Sequence, residues 1–169
     1  MGNHLRRWND RLVRGLEWGV IVLMGGLVLD VLWQVASRYV LRSPSSWTDE
    51  LATLLIIWVA LLGASVAFIR QGHLGVDYFV GKLPPRPRLL IEVCVYLLVA
   101  FFALAVLLIG GLKLVGLTLL TGQVSPALGV KMGHVYLALP VSGFFILVFA
   151  LTTAARSLAA LRGSGREGR

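Results

Sequence analysis

Apolar positions along the chain fall into four long runs, at about residues 16–37, 51–69, 89–112 and 132–155, with short polar stretches between them. Each is close to the roughly 20 residues a helix needs to cross a bilayer core. The pattern predicts an all-α integral membrane protein of four transmembrane helices. The third run keeps its apolar character, with one lysine, to about Leu120. Counted from Leu89 it makes roughly 48 Å of helix, too long to cross upright, so this span is expected to tilt or to break near Gly110-Gly111. The first run exceeds the ~7 to 15 residues of a secretory signal core, and Trp33, Gln34 and Arg38 stand where a small-residue cleavage site would fall. It is expected to stay as an anchor. With no internal repeat and no long linker, the chain is predicted to form a single four-helix membrane domain over residues 1–169, its tail 163–169 disordered.

The first run is not uniformly apolar. Asp30, Gln34 and Arg38 recur at i, i+4 and i+8, and Gly26 extends the same face. Such a stripe of polar and small residues should face protein rather than lipid. An ionisable group inside a span is a functional hypothesis by default. Two readings of Asp30 stay open: proton or sodium coupling, or a satisfied contact between helices or subunits. If the long third span tilts, Lys113 reaches a depth comparable to Asp30, which predicts an Asp30–Lys113 contact, direct or through water.

Composition supports lipid as solvent: 57% of the residues are hydrophobic and 14% charged, and the mean hydropathy is +0.83. A soluble domain could not bury so much apolar surface. The net charge of +8 does not point to nucleic acid, because the charges flank spans. Arg6, Arg7, Arg11 and Arg14 precede the first span; Arg70, Lys82, Arg86 and Arg88 lie around the middle loop; Arg156, Arg162, Arg166 and Arg169 follow the fourth. The other two loops hold only Arg38 with Arg42 and Lys113 with Lys131. With 12 of the 16 basic residues on one side, both termini and the middle loop are expected in the cytoplasm, next to anionic membrane lipids. The lone Cys94 excludes a disulfide within the chain, a Cys-x-x-Cys pair and a thiolate metal cage. His4, His73 and His134 fall on different segments and cannot converge on one ion or haem. No metal and no cofactor is therefore expected.

Three segments carry more specific patterns. The first span ends at Arg38-Tyr39-Val40, and the chain returns to the membrane at Ser46-Trp47-Thr48-Asp49-Glu50-Leu51. Ser46, three residues before Asp49, suits a helix cap, with both carboxylates near the positive end of the helix dipole and Trp47 at headgroup level. Arg38 is expected to pair with Asp49 or Glu50 and fix the hairpin of spans one and two. The middle loop reads Arg70-Gln71-Gly72-His73-Leu74-Gly75-Val76-Asp77 and closes at Leu83-Pro84-Pro85. Between Asp77 and Lys82 a short interfacial helix is possible, ended by the prolines. Finally, Thr121 to Val130 is rich in turn residues and includes Ser125-Pro126-Ala127-Leu128-Gly129, ahead of a span with Tyr136 and Pro140. Pro140 should kink that span.

In order and spacing, these segments resemble the small, Q-type membrane subunit of the TRAP (tripartite ATP-independent periplasmic) transporters, over most of the chain from Arg38 to about Gly143. The resemblance implies an accessory subunit in the inner membrane of a bacterium or archaeon. It would scaffold a large membrane subunit that carries the sodium and substrate sites, and help dock a periplasmic substrate-binding protein for uptake of organic anions such as carboxylates. On that reading no residue is catalytic. Arg38, Tyr39, Trp47, Asp49 and Glu50 are the expected contacts on the outer side, His73 and Asp77 those on the inner side, with Asp30, Gln34 and Lys113 as intramembrane polar groups.

Three other classes fit the pattern less well or differ only in partner. A small four-helix cation-coupled drug exporter working as a dimer would use Asp30 as its membrane carboxylate, but the chain is long for that class. An intramembrane hydrolase built on Ser142 and His134 lacks an oxyanion donor, and Pro140 replaces the glycine of a Gly-x-Ser-Gly motif. A structural adaptor outside TRAP systems would differ only in its partner.

Overall fold

The computed structural model describes residues 2–40, 42, 45–71 and 85–164. Helix α1 covers Gly2–Tyr39 and α2 covers Ser46–Gln71. The third span is one unbroken helical rod, made of α3 (Pro85–Phe102), a π-helical segment (Ala103–Gly110) and α4 (Gly111–Leu120). The fourth is divided into α5 (Met132–Tyr136) and α6 (Ala138–Ser164). Among the described residues four stretches are long and apolar enough to cross a membrane: Leu12–Tyr39, Ser46–Arg70, Pro87–Leu120 and Met132–Leu161. Among the described residues no strand forms, only an isolated bridge between Val124 and Lys131. The expected interfacial helix of the middle loop, with His73 and Asp77, lies outside the described residues.

Two helices run further than the apolar runs that announced them. The polar turn Ser46 to Glu50 is already helical, and the basic stretch before Leu16 continues α1. The 34 residues of the third span would make about 50 Å of helix. Of the two expected alternatives, a tilt or a break near Gly110-Gly111, the break does not occur. The backbone instead widens into π geometry just before these glycines, a local distortion that keeps the rod continuous. Its neighbour explains where: a Cβ on Gly143 of α6 would lie 2.6 Å from Leu107 Cβ and 3.2 Å from the Leu108 nitrogen. Only a residue without a side chain lets the π segment approach α6 so closely.

In span four, where a kink at Pro140 was expected, the structure shows an interruption of the helix upstream of the proline. The helix is interrupted at Leu137, and Pro140 sits in the first turn of α6. A proline ring crowds the carbonyl four residues earlier and offers it no N–H, so the helix restarts rather than running through. Val141 N donates to the Leu137 carbonyl at 3.1 Å and re-establishes the ladder.

α2, α3 and α6 share a core in which Tyr96, Ala100, Ala150 and Ala154 are buried, with Phe68, Val99, Leu147 and Phe149 packed against them. Phe68 meets Tyr96 and Phe149 edge to face, with ring centroids 6.2 and 5.9 Å apart. The alanines keep the helices close and the aromatic rings fill the remaining space, a division of sizes suited to helix association in lipid. α1 stands apart from this core and packs mainly on α2. Its buried positions Leu16, Asp30 and Ser37, with half-buried Leu23 between them, recur every seven residues, the repeat of a two-helix seam. At the end of the bundle nearer the termini, Arg70 Nε donates to Glu17 Oε1 at 2.5 Å and ties the hairpin there.

Candidate functional site at the loop end of the bundle

The end opposite the termini carries residues 40, 42 and 45 and the loop 121–131, and several of the polar residues singled out in the sequence collect there. α2 begins at Ser46, so the residue at the helix boundary is Ser45, one position before the expected cap. The Ser45 and Thr48 hydroxyls meet at 2.7 Å, and Thr48 Oγ1 also donates to the Ser45 carbonyl at 2.8 Å. Ser37 of α1 approaches Ser45 Oγ at 3.5 Å and donates to the Gln34 carbonyl at 2.9 Å. Thr48 is completely buried. These hydroxyls satisfy one another and close the top of the α1–α2 seam.

Below them, Gln34 Nε2 donates to Asp49 Oδ1 across the seam. The expected Arg38 ion pair is not made. Asp49 is taken by Gln34, Glu50 points to the other loop, and Arg38 is exposed with no ion pair among the described residues. A single residue, with about 100° of rotation, separates Arg38 from Ser37 of the 16-23-30-37 seam, enough to turn it off the α2-facing side. Tyr39 and Trp47 are likewise exposed at this end, 76% and 43% accessible.

Glu50 makes the contact that joins the two most distinctive segments of the sequence. Its Oε2 accepts the backbone N–H groups of Ala127 at 2.8 Å and Leu128 at 2.7 Å. The loop is shaped to present them. Ser125 N donates to the Val130 carbonyl at 2.9 Å and Gly129 N to the Ser125 carbonyl at 3.0 Å, while Gly129 turns through φ +64°. That left-handed conformation suits glycine and leaves two successive amides facing one carboxylate. The Ala127 and Leu128 amides, with Ser37, Ser45 and Thr48, were missed in the sequence. The turn residues around Gly129 signalled a tight loop, but nothing local signalled a partner 77 positions away.

Asp30 is buried, 7% accessible, and neither carboxylate oxygen has a hydrogen-bond partner among the described residues. The direct contact with Lys113 is therefore not made. Tilt fixes depth but not azimuth: Asp30 faces α2, whereas Lys113 is exposed on α4, which does not pack substantially on α1. An ionised aspartate left unpaired at the centre of a span costs about 3 kcal/mol on insertion scales.

Nothing in the described residues resembles a site for a polar substrate. An open groove of about 790 Å³ runs between α1, α2 and α5, lined by Trp18, Val22, Leu54, Trp58 and Val135 with His134 at its edge. It lacks the convergent polar groups that orient a charged ligand. Ser142 is buried and donates to the Leu139 carbonyl of its own helix at 2.9 Å, while His134 is exposed two helical turns away, so they form no nucleophile–base pair. Among the described residues no group of three or more His, Cys, Asp or Glu could hold a metal.

Fold and site together define a multi-pass membrane protein of four spans whose polar residues mostly hold segments of the chain to one another. Residues 27–160 match the family described as tripartite ATP-independent periplasmic transporters, DctQ component, and the chain belongs to this family. It is 28% identical over 141 residues to the sialic acid TRAP transporter small permease protein SiaQ of Vibrio cholerae, covering 81% of this chain and 78% of that one. It is also 38% identical over 76 residues to the sialic acid TRAP transporter permease protein SiaT of Haemophilus influenzae, covering 40% of this chain and 12% of that protein. A third relative, the isethionate TRAP transporter permease protein DctMQ of Oleidesulfovibrio alaskensis, is 28% identical over 130 residues, 73% of this chain and 20% of that protein. The resemblance of the motifs is thus borne out over residues 27–160. Members of this family are permease components, not enzymes.

Proposed function

We propose that this chain is the accessory small subunit of a sodium-coupled TRAP transporter. It scaffolds a large membrane subunit and helps a periplasmic substrate-binding protein to dock for uptake of organic anions, carboxylates among them. The family match carries this reading. Support for a large partner comes from SiaT and DctMQ, in which a stretch similar to this chain occupies only 12% and 20% of a much longer permease protein. In this reading the large partner binds the substrate, supported by the all-apolar lining of the groove between α1, α2 and α5. Sialic acid and isethionate, named for the relatives, are both organic anions.

The basic residues orient the chain with both termini and the middle loop in the cytoplasm of a bacterial or archaeal inner membrane, against anionic lipids. The loop end then faces the periplasm. Tyr39 and Trp47 are exposed there beside the loop that Glu50 holds, and with Arg38 they form the surface offered to partners. His73 and Asp77 serve as contacts on the cytoplasmic side.

Affinity purification of the tagged chain in mild detergent from its native membranes tests the reading. A stoichiometric, much larger multispan protein is expected. A lone chain or homodimer that supports cation-coupled drug efflux in liposomes would overturn it in favour of the exporter. Asp49→Ala with Glu50→Ala should weaken both recovery of the large subunit and uptake. Normal uptake in that variant would confine the two carboxylates to a role within this chain.

A further inference from the structure

Buried positions along span three do not keep the spacing of a regular α-helix. Tyr96, Ala100 and Ala103 are buried before or at the start of the π segment, and Gly111, Val115 and Thr118 after it. On a regular helix, Ala103 and Val115 would point about 120° apart. The π segment between them absorbs the difference and turns both toward the rest of the bundle. Its last bonds show how: the Gly111 N–H donates to the Val106 carbonyl, five residues back, as well as to that of Leu108. An α-helix continued from Ala103 would instead carry Gly110 and Leu114 to within about 20° of the inward side.

Both arrangements are sterically open where the rod and span four nearly touch. A Cβ on Gly111 would lie 3.0 Å from Leu139 Cβ and from Pro140 Cδ, so the inward place at this depth needs a glycine. Gly110 is exposed, and a Cβ there would meet only the Ala105 carbonyl oxygen, at 3.6 Å. Packing in the observed register therefore does not require glycine at 110, yet glycine there suits the other register. On the facing helices, Gly133 approaches Leu119 and Gly143 approaches Leu107, each so closely that its own Cβ would lie within 2.6 Å of the leucine. The contacts that would have to slide are thus glycine surfaces.

We propose that Ala103–Gly110 is a register switch in span three. In the state seen here, Gly111, Val115 and Thr118 face inward and Lys113 is exposed on the far side. In the other state the segment closes to α geometry, and Gly110 and Leu114 take the inward places. The helix beyond it then rotates by about 100° and advances about 1.5 Å. Lys113 turns from the far side toward the flank, and the loop 121–131, which Glu50 holds, moves with the helix end. The switch thereby couples the face that Gly111–Leu120 presents in the membrane to the seating of that loop. π geometry inside an α-helix is rare, so side-chain fit against span four, rather than the backbone, holds the observed register. Two discrete packings of one helix against its neighbours are a known form of conformational change. The inference uses the fold alone and stands whichever partner the chain has.

Double electron–electron resonance reads the register in the full chain in lipid nanodiscs. Nitroxides are placed on Leu112→Cys and Ile56→Cys, with Cys94→Ser to remove the native thiol. Leu112 and Ile56 are both exposed, and Leu112 stays off the inward side in either register, so the labels favour neither. Two distance populations are expected in the otherwise unaltered chain. Gly111→Ala crowds Leu139 and Pro140 only in the observed register and should raise the ratio of the minor to the major population about tenfold. Gly110→Ala crowds only the other register and should remove the minor population. Deletion of Leu108 takes out the extra residue and should remove it too, with the helical circular-dichroism spectrum kept. A single population in the otherwise unaltered chain would overturn the proposal and leave the π segment a fixed spacer. So would a minor population that Gly111→Ala does not enlarge, or one that survives the deletion of Leu108.

Discussion

Glu50→Ala is the substitution that most directly tests how the loop end is held. The carboxylate accepts two backbone N–H groups, of Ala127 and Leu128, at 2.8 and 2.7 Å. Hydrogen bonds to a charged group contribute about 1.5–3 kcal/mol each when buried. Glu50 is only half-buried, and water replaces part of what is lost, so the pair together is expected to contribute about 2–3 kcal/mol. That free energy belongs to the local closing of residues 121–131 and not to the whole bundle, because the helices that flank the loop keep their own packing.

Amide hydrogen exchange in nanodiscs reads this local opening. At 1.4 kcal/mol per tenfold change, exchange at Ala127 and Leu128 should quicken roughly 30- to 140-fold in Glu50→Ala. Glu50→Gln keeps an acceptor without the charge and should quicken it about tenfold. Exchange in the aromatic core around Tyr96 should be unchanged in both. If the two loop amides exchange in Glu50→Ala as they do in the unaltered chain, the carboxylate does not hold the loop and the reasoning fails.

Other substitutions probe the rest of the fold. Gly143→Ala places a Cβ 2.6 Å from Leu107 Cβ and should destabilise by about 1–3 kcal/mol, seen as a lower thermal midpoint. Gly25→Ala, where nothing lies within 4 Å, should leave the midpoint nearly unchanged. Phe68→Ala removes both edge-to-face contacts and should cost about 3 kcal/mol, whereas Phe68→Leu should cost less than half as much. For Glu17 and Arg70, whose side chains are 21% and 63% accessible, a double-mutant cycle should give a coupling below about 1 kcal/mol. A larger value would mean that the pair is shielded from solvent by lipid.

The spans were legible because hydropathy alone sets them, and the family segments were legible as strings. Helix ends were less so: Ser46 to Glu50 is polar, and an apolar count starts α2 at Leu51, although helical geometry continues as far as the backbone is satisfied. The π segment could not be read from Ala103 to Gly110, a run of apolar residues with no breaker before Gly110. The surface it packs against so closely is that of Gly143, on another span. In the same way Glu50 looked ready for Arg38, its neighbour along the hairpin, and went instead to amides 77 and 78 residues away. Asp30 and Lys113 were matched in depth, but pairing also needs a shared face, which sequence spacing within one helix cannot supply for two.

These differences share a physical origin. In lipid, apolar side chains gain little by leaving an apolar solvent for one another, so helix association depends on close packing and on polar groups that have few alternative partners. The bundle separates the two devices. Toward the termini, alanines and aromatic rings join α2, α3 and α6; toward the loop end, Gln34, Ser37, Thr48, Asp49 and Glu50 join α1 and the loop 121–131 to α2. α2 is common to both and so fixes the position of everything else. α1, held along one seam, leaves Trp18, Val22, Leu29 and Leu32 at least 60% accessible. A helix tied to its own chain by a polar seam, with its apolar side free, is placed to take up a second helical surface without disturbing the core that α2 shares with spans three and four.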